Sequence, residues 1–158
     1  MASIDPGTRI GHVHLKVADL DRALAFYGEL LGFEVKATYP GAAFIAAGDY
    51  HHHIGLNTWE SAGGSPPPAG TTGLYHTAIL YPTRPLLAEA LQRLIDAKWP
   101  LTGASDHGVS EALYLNDPDQ NGVELYWDRP REAWPLNDDG SIAMFTAPLD
   151  LDALLAAR

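Results

Sequence analysis

A histidine leading into an apolar strand, and that strand leading into a helix, occurs twice in this chain. Gly11-His12-Val13-His14-Leu15-Lys16-Val17 opens the first copy, and Tyr75-His76-Thr77-Ala78-Ile79-Leu80 opens the second, with His76 64 residues after His12. A repeat of this length constrains the fold more than any local pattern does, because a unit this small cannot bury its sheet alone and must combine with its copy. In the first copy Ile10, His12, His14 and Lys16 alternate with Gly11, Val13, Leu15 and Val17, so residues 10–17 read as a strand with one apolar face. Asp19 suits a helix N-cap. Leu20, Ala23, Leu24, Tyr27, Leu30 and Leu31 then recur at helical spacing, and Gly32 is a stop. Strands are expected over 33–38, 43–47 and 50–58, separated by turns at Pro40-Gly41 and Gly48-Asp49. The second copy repeats the order, with a strand over 74–81 and a helix over 85–97 that has Pro85 in its first turn. Strands on either side of Asp117-Pro118-Asp119-Gln120-Asn121-Gly122 complete it. The expected fold is α+β: two βαβββ repeats forming one curved mixed sheet with the helices outside.

The organisation follows from the repeat. Residues 1–8 are an N-terminal arm, 9–58 the first βαβββ unit, 59–73 a Gly- and Pro-rich linker, 74–128 the second unit, and 129–158 a C-terminal extension. In the extension Trp134 suits an anchor, and a short helix is expected around 150–157. Its Leu149, Leu151, Leu154 and Leu155 suit docking on the body or on a second subunit, and a homo-oligomer, dimer or higher, is expected.

Composition narrows the chemistry. A net charge of −10 leaves no basic surface for a nucleic acid or an anionic membrane, so neither is an expected partner. The absence of Cys removes disulfides, thiolate metal sites and Cys nucleophiles. Seven His make nitrogen and oxygen the available ligands, which suit Fe(II), Mn(II), Ni(II) or Zn(II). No secretory signal or membrane-length apolar run is visible, and a cytoplasmic location is expected.

Glu124 is the anomaly in the β-forming run Val123–Trp127. A carboxylate there either faces water or is neutralised by a partner such as a metal. A lone strand histidine is most often a packing residue, and that reading stands for His12 or His76 taken singly. The two occupy equivalent places in the repeat, however. Together with Glu124 they make a two-His, one-carboxylate set of the kind non-haem Fe(II) oxygenases use, which leaves three positions open on the ion. His14 shares the face of His12 and is either a partner of that ligand or a packing histidine. At least one of His51, His52 and His53 should face the same cavity. Tyr114 suits plain sheet packing, and His107 a surface loop.

Residues 11–17, the Phe26-Tyr27…Leu30-Leu31-Gly32-Phe33 helix end, and Asp117-Pro118…Glu124 together resemble the vicinal oxygen chelate superfamily, which includes glyoxalase I, fosfomycin-resistance proteins and extradiol dioxygenases. The likeness covers about residues 9–128, and His107 to Glu124 is similar to the extradiol ring-cleavage signature. Gln120 departs from that signature, which has Gly or Pro there, and Ser105 replaces its usual leading residue; Asn121-Gly122 is expected to supply the turn instead. The tail from Asp128-Arg129-Pro130-Arg131 to Trp134-Pro135 resembles that of short catechol 2,3-dioxygenase-like proteins. The resemblance implies a sheet curved around a metal cavity, with His12, His76 and Glu124 as ligands of Fe(II), or alternatively Mn(II). It implies His52 as the acid–base histidine and His107 and Tyr114 as a hydrogen-bonding pair. It implies a catecholic substrate and O₂ as reaction partners. The register of His52 stays open at this stage, because alternation from Gly55 would instead turn His51 and His53 inward unless a bulge near Asp49-Tyr50 intervenes. Within the superfamily, glyoxalase I carries a fourth ligand, a Glu, where this chain has Gly55. A glyoxalase-like lyase or isomerase, or a metal-free binding protein of the same fold, is the alternative.

Overall fold

The computed structural model describes residues 3–158; Met1 and Ala2 of the N-terminal arm lie outside the described residues. The chain divides into two compact units, at Ser65 and Pro66.

In the first unit β1 (Val13–Lys16) leads into α1 (Leu20–Leu24), followed by a π-helical turn (Ala25–Leu30), β2 (Glu34–Tyr39), β3 (Ala42–Ala46) and β4 (Ile54–Asn57). Asp19 caps α1 by accepting from the Arg22 N–H at 2.9 Å, and Gly32 ends the helical segment at φ +92°. The strand order is β1-β4-β3-β2, with β1 and β4 parallel and the other pairs antiparallel. Leu15, Val17, Ile45, Ile54 and Leu56 are buried together with Phe26 and Tyr27 of the helical segment, whose rings meet edge to face at 4.8 Å.

The second unit repeats the plan with β5 (Thr77–Leu80), α2 (Arg84–Asp96), β6 (Leu101–Asp106), β7 (Ser110–Asn116) and β8 (Gly122–Asp128). Thr83 caps α2, and Pro85 sits in its first turn. The order β5-β8-β7-β6 matches that of the first sheet strand for strand, and β9 (Ala147–Pro148) extends it on the outer side of β6. Even the irregularities correspond, since the ladder slips between Val35 and Ala37 in β2 and between Leu101 and Gly103 in β6. Instead of the expected single sheet, each repeat closes its own hydrogen-bond ladder, giving a four-stranded and a five-stranded mixed sheet.

Strand ends differ from the sequence pattern where the ladder has no partner to offer. β1 is four residues long because β4, its parallel partner, is four residues long. His51 and His52 precede β4 in a loop, so strand alternation does not decide their direction. The left-handed position of the 117–122 turn is Gln120, at φ +66°, and not Asn121 or Gly122. Gly122 serves another purpose: a Cβ on it would collide with the Tyr75 carbonyl and crowd His76. The missing side chain lets β5 press against β8 just where His76 begins.

The C-terminal extension is part of the second unit. Trp134 donates its Nε1–H to the Arg129 carbonyl at 2.7 Å, with the Arg131 guanidinium over its ring. The short helix α3 (Leu151–Leu155) is capped by Asp150 and packs on α2, with Leu154 fully buried. The buried Glu111 ties these parts together. Its two oxygens accept from Arg84 Nε at 2.7 Å and from an Arg129 terminal nitrogen at 2.9 Å; Arg129 also grips both Asp106 oxygens, and Arg84 reaches the Ala153 carbonyl. Burial alone would raise Asp106, but Arg129 and the Gly108 N–H hold its carboxyl below the usual carboxylate range. Glu111→Ala would leave two guanidinium groups short of a partner. Because both arginines keep some solvent, the expected loss is about 2–3 kcal/mol, less than for a fully buried pair. Thermal melting should show it as a Tm lower by roughly 5–10 °C, and an unchanged Tm would show that the network contributes nothing.

Candidate active site

The strand registers put a row of chemistry across the second sheet. Ala78, Glu124, Tyr114 and Gly103 are successive cross-strand partners from β5 through β8 and β7 to β6. The same row in the first sheet is His14, Gly55, Phe44 and Ala37. A carboxylate and a phenol in the second unit therefore stand where the first has a glycine and an apolar ring. His12 and His76 each precede the first residue of their strand, Val13 and Thr77, and those residues pair with corresponding positions of β4 and β8. The equivalence expected from spacing is thus present in the register.

Around Glu124 the side chains form one connected chain. His76 Nε2 lies 2.9 Å from one Glu124 oxygen, and the Tyr114 hydroxyl donates to the other at 3.0 Å. Behind Tyr114, His107 Nε2 is 2.7 Å from the same hydroxyl. His107 Nδ1 is 3.0 Å from the Phe145 carbonyl and 3.3 Å from the Thr146 hydroxyl. A carbonyl only accepts, so Nδ1 carries the proton and Nε2 is the nitrogen turned to Tyr114. Desolvation first, and the Glu124 carboxylate second, push the Tyr114 phenol up to about 12, so it remains a hydrogen-bond donor at neutral pH. His76, His107 and Tyr114 line a cavity of about 600 Å³ whose wall also includes Tyr75, Ser105 and Thr146.

In the first unit His12 is exposed, and its ring centroid lies 4.4 Å from that of His52. His52 also meets Phe44 edge to face at 5.0 Å, and its Nδ1 is 2.7 Å from His51 Nδ1. His53 turns elsewhere: its Nδ1 accepts from the Ala47 N–H at 3.3 Å and its ring stacks on Tyr50. Partial desolvation, then the neighbouring His12 and His51, hold His52 below the ordinary histidine value. His14 is not a core histidine. It is exposed, packs near Phe44 and Trp59, and covers Gly55, where a Cβ would come within 2.9 Å of its ring.

Among the described residues no group of three or more His, Asp or Glu side chains is gathered as a set of metal ligands. Of the three expected ligands the structure brings together His76 and Glu124, while His12 stands in the other unit beside His52. The second-unit pair fits a metal. Its donors are an imidazole nitrogen and a carboxylate oxygen, and their separation of 2.9 Å matches the roughly 3 Å between adjacent ligands held about 2.1 Å from an octahedral ion. His76 Nδ1 is buried without a hydrogen-bond partner in the chain, so the ring is oriented only from its Nε2 side and by Tyr75 and Tyr114. The sequence pattern missed the Phe145 carbonyl and Thr146. They reach His107 from far along the chain through the pairing of β9 with β6, and no local motif marks them.

Residues 9–125 match the Glyoxalase/Bleomycin resistance protein/Dioxygenase superfamily. The chain is 42% identical over 155 residues to the catechol-2,3-dioxygenase of Bacillus subtilis strain 168, an alignment covering 98% of this chain and 54% of that protein. It is 32% identical over 120 residues to biphenyl-2,3-diol 1,2-dioxygenase 3 of Rhodococcus globerulus, covering 76% of this chain and 63% of that one. The chain thus spans between half and two thirds of the length of these relatives. Among solved structures, a glyoxalase/dioxygenase from Nostoc punctiforme superposes with a TM-score of 0.67 at 20% identity, covering 82% of this chain and 98% of that one. A lactoylglutathione lyase from Agrobacterium tumefaciens superposes with a TM-score of 0.60 at 24% identity, covering 78% and 96%. These two likenesses concern the fold.

Proposed function

The chain belongs to the glyoxalase/bleomycin resistance protein/dioxygenase superfamily, with the vicinal oxygen chelate fold, and we propose that within it this protein is a non-haem Fe(II) extradiol dioxygenase that opens a catechol-type ring with O₂. The observation that carries this reading is the asymmetry between the two equivalent rows. Glu124 has Gly55 as its counterpart, and His14 lies over Gly55, so the first unit contributes no carboxylate there. A fourth protein ligand of the glyoxalase kind is therefore missing, which suits a site that must keep positions open for a diol and a gas. The names of the dioxygenase relatives support the same choice.

In this reading His76 and Glu124 of the second unit and His12 of the first hold Fe(II), with Mn(II) as the alternative for the same donor set. When bound, the ion supplies a chelation point for two vicinal oxygens and a path for electron density from the ring to O₂, which no side chain here provides. The protein's own groups divide the remaining work. His52, kept below the ordinary histidine value, takes the proton of a substrate hydroxyl. Tyr114 stays protonated and aims its O–H at oxygen acceptors beside Glu124. His107, its Nδ1–H turned to the Phe145 carbonyl, meets the Tyr114 hydroxyl through Nε2 and holds the phenol in position. The cavity of about 600 Å³ falls within the usual size of a small-molecule site. No helix among the described residues is long and apolar enough to cross a membrane. A cytoplasmic role in aromatic-compound catabolism and assembly as a homo-oligomer belong to the same proposal.

Full-length protein loaded with Fe(II) under anaerobic conditions should, on admission of air, consume O₂ with catechol and give a yellow ring-opened product. No O₂ uptake with any catechol tried, together with isomerisation of the methylglyoxal–glutathione hemithioacetal, would replace this reading by the glyoxalase-like one.

A further inference from the structure

A second, smaller cleft of about 280 Å³ lies beside the cavity that holds His76 and Tyr114. Three residues line both: Thr102, Asn116 and Gln120. The smaller cleft is otherwise walled largely by Trp99, Pro100 and Pro118, which are flat and mostly apolar. Trp99 is held in place there, since its Nε1–H donates to the Asn116 carbonyl at 3.0 Å. Neither cleft is lined by Lys or Arg, so neither offers a cation to a substrate carboxylate.

Gln120 is the unusual member of the shared wall. It is held at φ +66°, a conformation that glycine adopts freely and other residues adopt at a cost of about 1–2 kcal/mol. The turn does not need its side chain. Asp117 organises the turn, one oxygen accepting from the Asp119 and Asn121 backbone N–H groups and the other from the Asn121 amide, while Gln120 takes part through its backbone N–H to the Asp117 carbonyl. What the side chain does instead is accept from Asn116 Nδ2 at 3.3 Å, a link between two of the residues that line both clefts.

We propose that Gln120 is the residue that sets the size of substrate this site admits. Its tethered carboxamide separates the ring-binding cavity from the Trp99 cleft, so that the protein favours a diol ring with small substituents over one bearing an aryl group. Without that side chain the two clefts join, and the flat apolar walls of Trp99, Pro100 and Pro118 receive an aryl substituent by stacking. This inference rests on the ring-cleavage reading and adds to it the class of substituent.

The test compares Gln120→Gly, which suits the backbone angle and removes the wall, with Gln120→Leu, which keeps the bulk and loses the tether. Each is assayed by O₂ uptake, in the Fe(II)-loaded full chain, with catechol and with a phenyl-substituted catechol. The ratio of kcat/KM for the phenyl compound to that for catechol should rise about tenfold or more in Gln120→Gly, the scale on which pocket shape discriminates, and should stay near wild type in Gln120→Leu. A ratio unchanged in Gln120→Gly overturns the proposal, as does an equal rise in Gln120→Leu. Absence of O₂ uptake by the wild-type protein with either compound removes the ring-cleavage reading itself and this inference with it, an outcome distinct from the other two.

Discussion

Glu124→Ala is expected to leave the protein folded and almost free of metal after loading with Fe(II) and desalting, and His76→Ala and His12→Ala are expected to do the same. The physical basis differs among the three. His76, just ahead of β5, and Glu124, on the parallel strand β8, present a nitrogen and an oxygen 2.9 Å apart. Removing either leaves a single donor at that point, and removing Glu124 also takes away the negative charge that offsets the cation. His12 enters through the repeat, as the residue that stands before β1 as His76 stands before β5. Elemental analysis of each variant, with far-ultraviolet circular dichroism to verify the fold, decides the matter residue by residue. Full occupancy in any variant removes that residue from the ligand set. Metal retained by His12→Ala but lost from the other two would assign the site to the second unit alone.

The parts of this molecule legible in its sequence are those with a period. Two copies of one strand-and-helix pattern, the N-cap at Asp19, the glycine stop at Gly32 and the place of Pro85 in a helix start all follow from spacing and from backbone chemistry, and all are present. The correspondence of His12 with His76 is of this kind. What escaped were features created by pairing. No pattern in residues 117–122 says that Gln120 and not Asn121 takes the left-handed angle, because the Asp117 carboxylate selects the turn by accepting two backbone N–H groups. Gly122 looked like a turn residue, yet its absent side chain is a matter of strand approach, since the Tyr75 carbonyl occupies that space. The hydrogen bond from His107 to the Phe145 carbonyl depends on a two-residue strand, too short to leave a periodic trace. The opposition of Glu124 and Gly55 lies between these cases, since each residue is visible in the sequence but only the register makes them counterparts.

His52→Phe is expected to keep metal and to bind catechol anaerobically, while turnover falls by about two to four orders of magnitude, the range for losing a general acid–base group. Three adjacent histidines made the choice ambiguous, and a strict strand would have turned His51 and His53 to the face of Gly55. The ladder does reach His53, whose backbone N–H donates to Ile45 and whose carbonyl accepts from Val13, but the chain bends before it. His52 therefore lies against His12 and Phe44, whereas the His53 ring is engaged by the Ala47 N–H and Tyr50. His51 is exposed and stacks on Tyr50 from 4.1 Å. His52 combines nearness to a proposed ligand with an imidazole held below its ordinary value, which favours the neutral form that accepts a proton. Steady-state O₂ uptake and metal content measured on His52→Phe and His53→Phe separate the roles. Loss of turnover with metal retained in His52→Phe, and near wild-type turnover in His53→Phe, is the expected pair of results; the reverse pair would move the acid–base role to His53, and loss of metal in His52→Phe would make His52 a support of His12 and not a proton carrier.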